Sequence, residues 1–337
     1  MAVRLKDIAQ DLGLSTVTVS KVLRNNPDIS DRTRALVLKR MQELNYRPNM
    51  LARGLASGRS YTVGLVVPDL VHPFFGELAK SMGGVLRQSG RALILASSEE
   101  FPEIEQQEIR TLLTRGIDVL IVASCQPSPT QEDLTGDSST PILFIDRNLP
   151  QSTHFVGTDD FLAGEMATRH LIETGKRRIA HIGGQGMSPS LDRLAGYQAA
   201  LASAGLEAPQ DYIVTRARFE EAGDSTGYQA MQELLAREPK PDAVFCYNDL
   251  SAIGAMKATL DAGLRIPEDV AFVGCGNLRY AEYLKVPLTS IDHSTQHMGE
   301  IAAKLAIELA TTPGLAPKSV RLVPNLIVRE SSMAKRS

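Results

Sequence analysis

The sequence predicts an all-α head of about sixty residues followed by an α/β body of about 270, and three observations support that division. Two short amphipathic patterns flank a Gly-Leu-Ser turn near the start. From residue 61 onward, short apolar runs alternate with helix-length amphipathic segments. The charge also changes sign between the parts. Residues 1–60 hold eleven Lys or Arg against five Asp or Glu, a net of +6, whereas the whole chain is −3, so residues 61–337 carry −9. A basic head on an acidic body fits a phosphate-binding module joined to something that need not touch nucleic acid.

Within the head, helical patterns run from about Leu5 to Leu12 and from about Thr16 to Leu23, on either side of Gly13-Leu14-Ser15. Ser15 can cap the second helix by accepting an otherwise unpaired backbone N–H. Ile8, Ala9 and Leu12 share one face of the first helix; Val19, Val22 and Leu23 share one face of the second. Burying both stripes leaves Thr16, Val17, Ser20 and Lys21 outward on the second helix. That is a helix-turn-helix, whose second helix enters the major groove with its N-terminal residues at the base edges. An ordinary helical hairpin is the alternative, and the basic charge weighs against it. A third helix from about Asp31 to Asn45, capped by Ser30 or Asp31, closes the small core with Leu36, Met41 and Leu44.

Pro48 interrupts any continuation, Asn49 can cap a new start and Gly58 supplies a stop. The segment between is about two turns long, and nucleation makes so short a helix marginal by itself. A marginal helix beside a DNA-binding head predicts a hinge that folds only when DNA and a partner support it. Ala52 and Ala56 let two such helices approach closely, while Leu51 and Leu55 project on a neighbouring face. An apolar side chain there can wedge between base steps in the minor groove and kink the duplex. A plain interdomain linker is the alternative.

The body places strands at Tyr61–Pro68, Ala92–Ala96, Val119–Ala123, Ile142–Ile145, Ile179–Ile182, Ala243–Tyr247 and Val270–Gly274. Helical patterns such as Phe75–Gln88, Ala163–Glu173 and Ser251–Ala262 lie between them, which argues for parallel sheets. About 270 residues exceed one comfortable sheet core, so two α/β lobes are expected. No apolar signal segment opens the chain, and no run approaches the roughly eighteen apolar residues of a membrane span. Cys125, Cys246 and Cys275 are odd in number and unpaired in spacing, as expected of free thiols in a reducing cytoplasm. The expected location is therefore cytoplasmic, at the nucleoid, with no membrane partner.

Other motifs fall short. Gly183-Gly-Gln-Gly186 lacks the third glycine and the following acid of a dinucleotide site, and His293 and His297 lack the intervening Glu and third ligand of a metal site. No Ser-His-Asp or Cys-His arrangement is visible. The expectation is a protein without catalytic residues, metal or cofactor, and not an enzyme.

The chain resembles the family of the lac and galactose repressors. The resemblance is carried by Leu5-Lys-Asp-Ile-Ala9, Gly13 to Leu23, Tyr46-Arg-Pro-Asn49, Leu55-Ala56 and Val63-Gly-Leu-Val-Val-Pro-Asp69, and it runs from about residue 3 to 331. It implies a two-lobed periplasmic-binding-protein-like body with a ligand cleft, the chain crossing three times between lobes. The implied division is a helix-turn-helix domain 1–48, a hinge 49–60, a body 61–331 and a tail 332–337. Lobe one would hold about 62–159 and 292–320, and lobe two about 160–290 and 322–331. DNA contacts would come from Ser15, Thr16, Val17, Thr18, Ser20, Lys21, Arg24, Ser30, Tyr46 and Asn49, and in the hinge from Ala52, Arg53, Leu55 and Ala56.

The same resemblance implies an effector site of Phe74, Phe75, Asp146, Arg193, Asn248, Asp249, Gly276 and Asn277. Phe74 could instead be core, Asp146 a turn residue, Arg193 a structural ion-pair partner and Asn248 a helix cap. One departure stands out. Relatives carry an acidic pair after the strand that ends at Gly274, where this chain has Gly276 and Asn277. A carboxylate accepts two hydroxyl bonds with charge assistance and glycine accepts none. With that acid gone, Arg193 is expected to tolerate an anionic sugar derivative. The function implied is a transcription regulator, a repressor, binding double-stranded palindromic operator DNA as a homodimer under a small-molecule effector, a carbohydrate or its derivative. The short tail lacks the leucine heptads through which some relatives form tetramers. The competing readings are a cytoplasmic solute sensor and an enzyme with an accessory DNA module.

Overall fold

The computed structural model describes residues 3–23, 26–46, 58–127, 129–147, 153–184, 186–216 and 219–333, with the side chains of 131 and 216–223 excepted. It divides into two compact units, Met1–Ser60 and Tyr61–Ser337.

The first unit is three helices: α1 (Leu5–Asp11), α2 (Thr16–Leu23) and α3 (Asp31–Glu43). The turn between α1 and α2 places Gly13 at φ 63°, a left-handed conformation that glycine adopts without a Cβ penalty. Ser15 caps α2, its Oγ accepting from Thr18 N at 3.0 Å, and Ser30 caps α3 through Thr33 N at 3.3 Å. Ile8, Ala9, Val19, Val22, Val37 and Met41 form the buried core, with Leu12, Leu23, Leu44 and Tyr46 packed around them. The α3 contribution differs from expectation by one residue. Leu36 is 49 % exposed, and Val37 takes the inward place because it lies one turn before Met41.

The second unit contains two six-stranded sheets. The first has the order β11-β5-β4-β3-β1-β2, built from β1 (Thr62–Val67), β2 (Ala92–Ser97), β3 (Val119–Val122), β4 (Ile142–Ile145), β5 (His154–Thr158) and β11 (Ser319–Leu322). All its pairings are parallel. Strand alternation divides the residues of β1: Val63, Leu65 and Val67 face α4 (Pro73–Gln88) and α11 (Thr295–Thr311), while Val66 faces α5 (Pro102–Thr114). The short helix α6 (Gln131–Thr135) completes this lobe among the described residues.

The second sheet has the order β12-β10-β9-β8-β6-β7, from β6 (Ile179–Gly184), β7 (Ile213–Arg216), β8 (Ala243–Cys246), β9 (Ala271–Cys275), β10 (Thr289–Asp292) and β12 (Asn325–Ile327). Only β10 with β12 is antiparallel. Helices α7 (Asp160–Glu173) and α8 (Ser188–Ser203) cover one face, and α9 (Phe219–Leu235) and α10 (Asp249–Asp261) the other. The chain passes between the sheets after β5, after β10 and after β11. Strands buried on both faces explain the continuous apolar runs that mark them in sequence.

Helices α7 and α8 touch through their backbones. A Cβ added to Gly164 would lie 2.1 Å from Arg193 O, and one on Gly196 would lie 2.1 Å from Phe161 O. This contact fixes where Arg193 emerges.

Candidate functional site

In the first unit, α2 presents Thr16 and Val17 to solvent, and Val17 is 60 % exposed despite being apolar. Lys21 is half-buried, with its Nζ 3.6 Å from a carboxylate oxygen of Asp28. Thr18 and Ser15 are joined hydroxyl to hydroxyl at 2.9 Å, so both are tied to the helix start. Tyr46 packs on the small core, and its N–H donates to Met41 O at 2.9 Å. Arg24, Asn49, Ala52, Arg53, Leu55 and Ala56, all expected on DNA, lie outside the described residues.

In the second unit a cavity opens beyond the carboxyl ends of the strands, where the two lobes meet. From the first lobe come His72, Phe74, Phe75 and Asp146; from the second come Arg193, Tyr247, Asn248, Cys275 and Gly276; His293 lies on the passage between the lobes just after β10. Six of the eight sequence-expected effector residues therefore converge. His72 starts α4, its Nδ1 accepting from Phe74 N at 3.3 Å, and the rings of Phe74 and Phe75 meet edge-on with centroids 5.0 Å apart. Asp146 follows the last residue of β4 and holds φ 63°, an unusual conformation for a non-glycine residue that turns the chain sharply at the lobe edge. The cavity measures about 30 Å³, far below the hundreds of Å³ of a typical ligand pocket.

Arg193 is 4 % exposed and ion-paired. Its Nε and Nη2 donate to Asp160 Oδ1 at 2.8 and 2.7 Å, its Nη1 donates to Tyr247 O at 2.7 Å, and the guanidinium lies over the Tyr247 ring at 4.7 Å. Burial opposes the charge, and the pull of Asp160 holds the guanidinium well above its ordinary pKa. Asp160 is raised by burial against that same pull. The guanidinium expected to meet an anionic group is thus already paired with a buried carboxylate, and Asp146 lies in the same cavity wall.

Asn248 caps α10, its Oδ1 accepting from Ser251 N at 2.8 Å, and its Nδ2 lies 3.4 Å from His72 Nε2 across the lobe junction. Capping thus fixes the amide so that its NH₂ end faces the cleft. Asp249 and Asn277 are not among the cavity residues. Asp249 is fully buried, accepting from Ser290 Oγ at 2.6 Å and from Leu278 N at 2.7 Å, and burial pushes its carboxyl up to about 6. Asn277 accepts from Arg329 Nη2 at 2.7 Å. Gly276 holds φ 127°, which L side chains rarely adopt, so the backbone there suits the glycine.

His72, Asp160, Tyr247, Cys275 and His293 were not selected from sequence. Asp160 follows Asp159 at a helix start, where a capping role accounts for an acid: Asp159 does accept from Leu162 N at 3.0 Å. His293 and His297 part company, His293 buried and His297 59 % exposed beside Glu300. Among the described residues no group of three His, Cys, Asp or Glu could hold a metal ion. No described helix is long and apolar enough to cross a membrane, and the three cysteines are free and buried.

A basic three-helix head with an outward-facing reading helix, and a two-lobed body whose buried polar groups meet at the lobe junction, define a ligand-responsive DNA-binding regulator. Residues 4–49 match the family model for bacterial regulatory proteins of the lacI family, and residues 168–332 match a periplasmic binding protein-like domain. The chain is 32 % identical over 331 residues to the ribose operon repressor of Escherichia coli, covering 97 % of this chain and 99 % of the relative. It is 36 % identical over 330 residues to the transcriptional regulator GalR of Escherichia coli, covering 97 % and 95 %. The chain belongs to the lacI family and is a DNA-binding transcription regulator. Among solved structures, a complex of the transcriptional regulator CelR with cellobiose superposes with TM-score 0.73 at 31 % identity, covering 98 % and 99 % of the two chains. The fold also matches the lac repressor dimer bound to operator and an anti-inducer, with TM-score 0.83 at 24 % identity over 99 % and 100 %.

Proposed function

We propose that this regulator is a repressor that binds a palindromic operator as a homodimer and answers to an uncharged carbohydrate held between the lobes of residues 61–331. The observation that carries the effector class is the Arg193–Asp160 pair. With the cation neutralised and Asp146 in the same wall, the cleft favours neutral hydroxyl-rich ligands over anions. Asp146 accepts from hydroxyls, while Arg193 and the amide of Asn248 donate, which is the mixed polarity a polyol needs. Relatives named for the ribose operon, and a relative complexed with cellobiose, point the same way. Because ligand and operator act on one molecule, their affinities must be reciprocally coupled. In this reading the protein works in the cytoplasm, performs no catalysis, and uses residues 1–48 for reading and 49–60 as the hinge.

A thermal-shift panel of neutral sugars, sugar acids and sugar phosphates tests the effector class, with Arg193→Ala as control. Neutral sugars should raise the melting temperature of the wild type alone. Stabilisation confined to the anions would sink the reading. Selection of bound fragments from random DNA should return a two-fold symmetric site; no enriched sequence would leave only a solute sensor.

A further inference from the structure

Among the described cleft residues, His293 carries a buried ring nitrogen without a hydrogen-bond partner, its Nδ1. The side chain is 4 % exposed and lines the cavity. Its Nε2 lies 3.3 Å from Arg193 Nη2 and 3.4 Å from Cys275 Sγ. A guanidinium only donates, so Nε2 must keep its lone pair on that side. Burial, with Arg193 and His72 nearby, holds the ring well below its ordinary pKa and therefore neutral. The single ring proton then belongs on Nδ1. Arg193, fixed in turn by Asp160, thus dictates the tautomer of His293.

A buried N–H without an acceptor is unfavourable, and a ligand that supplies one removes the penalty. We propose that His293 Nδ1–H donates to an acceptor oxygen of an uncharged effector, so that His293 is a specificity-determining residue of the cleft. The inference rests on the cleft reading above and deepens it. Asp146 lines the same cavity with a carboxylate. His293 reads with the opposite polarity. A carboxylate selects hydroxyls for their protons; an N–H selects oxygen for its lone pair. A hydroxyl, a carbonyl, or a ring or glycosidic oxygen all satisfy it, whereas a deoxy position does not.

Two measurements on the full chain test this. The first reads the tautomer of His293 in the ¹⁵N-labelled protein by long-range proton–nitrogen correlation, with His293→Gln to assign the signals. Protonation at Nδ1 is expected, and at Nε2 would overturn the proposal. The second measures D-ribose and cellobiose binding calorimetrically in the wild type, His293→Asn, His293→Phe and Asp146→Asn. Asparagine can offer an N–H near the Nδ1 position and should retain affinity within about threefold. Phenylalanine keeps the ring but not the donor and should lose about ten- to a hundred-fold, with its ligand-free melting temperature checked for folding. Full affinity in His293→Phe beside a large loss in Asp146→Asn overturns the His293 role and leaves the cleft reading standing. Full affinity in both overturns the cleft reading itself. A wild type that binds neither sugar overturns both.

Discussion

Arg193 and Asp160 form a buried pair between neighbouring helices: the guanidinium of α8 donates twice to one carboxylate oxygen in the first turn of α7, at 2.8 and 2.7 Å. The residue expected to meet the effector is thus held from behind by a partner outside the cavity. Removing one member leaves the other charge buried and unpaired. Asp160→Ala should therefore destabilise the body by roughly 3–5 kcal/mol in urea unfolding. Asp160→Ala with Arg193→Met should recover much of that loss while still abolishing the effector response. A single replacement that costs less than about 1 kcal/mol would show that the pair is not a clamp.

The backbone contact of α7 with α8 predicts a sensitive position far from any charge. A Cβ at residue 164 would lie 2.1 Å from Arg193 O, so Gly164→Ala must push the helices apart. Overpacking of this kind costs roughly 1–3 kcal/mol. Because the displaced carbonyl belongs to Arg193 itself, effector affinity should fall together with the melting temperature. An unchanged effector affinity would place the displacement elsewhere along α8.

Asp249 makes stability depend on pH with an identifiable sign. Its folded carboxyl is pushed up to about 6 from 3.8, so the folded state binds the proton more tightly than the unfolded chain. This term lowers stability at pH 7, and the deficit shrinks as pH falls through 6 toward 4; two units correspond to about 3 kcal/mol. His181 acts oppositely. Burial lowers it to about 4, so its contribution is present above 6.5 and lost as pH falls. Comparing unfolding free energies at pH 7.5 and 5.5 in the wild type and Asp249→Asn isolates the first term. The wild type should gain relative to the variant on acidification; parallel pH profiles would remove Asp249 as the source.

On the reading helix, Val17 is the exposed apolar residue and Lys21 the half-buried cation. Val17→Ala should weaken binding at one thymine-bearing position by about 1 kcal/mol. Lys21→Ala should cost roughly 1–3 kcal/mol on the preferred site and much less on random DNA. Gel-shift titrations on both DNAs at fixed salt decide the matter. Equal losses on the two would reduce Lys21 to a phosphate contact.

Legibility followed burial. β1, β3, β4 and β8 could be read because both faces are covered and the runs Val63 to Val67, Val119 to Val122, Ile142 to Ile145 and Ala243 to Cys246 are almost wholly apolar. β11 and β12 could not, because Ser319–Leu322 and Asn325–Ile327 are partly exposed edge strands of mixed composition. At the site, Asp146, Arg193 and Asn248, carried over from the family resemblance, line the cavity. His293 was not legible: its surroundings include Arg193, 100 positions away, and Cys275, 18 positions away, and no local pattern encodes a tautomer. Asp249 misled because adjacency to Asn248 suggests a shared role, whereas the first turn of α10 points the two side chains to different neighbours.

The chain's three passages between the sheets also order its synthesis. The first sheet lacks its edge strand until Ser319–Leu322 is made, and the second waits for Asn325–Ile327. Later still come Ser331, whose Oγ donates to Phe272 O at 2.7 Å, and Ser332, paired with Thr289 at 2.7 Å and His170 at 2.8 Å. Neither lobe is a contiguous stretch that could close behind the ribosome, whereas the three-helix head is complete within the first sixty residues. A truncated message would therefore yield a finished DNA-reading head on an unfinished body, open to proteolysis before it could occupy an operator unregulated. Loss of a few C-terminal residues should be felt as loss of the whole regulator.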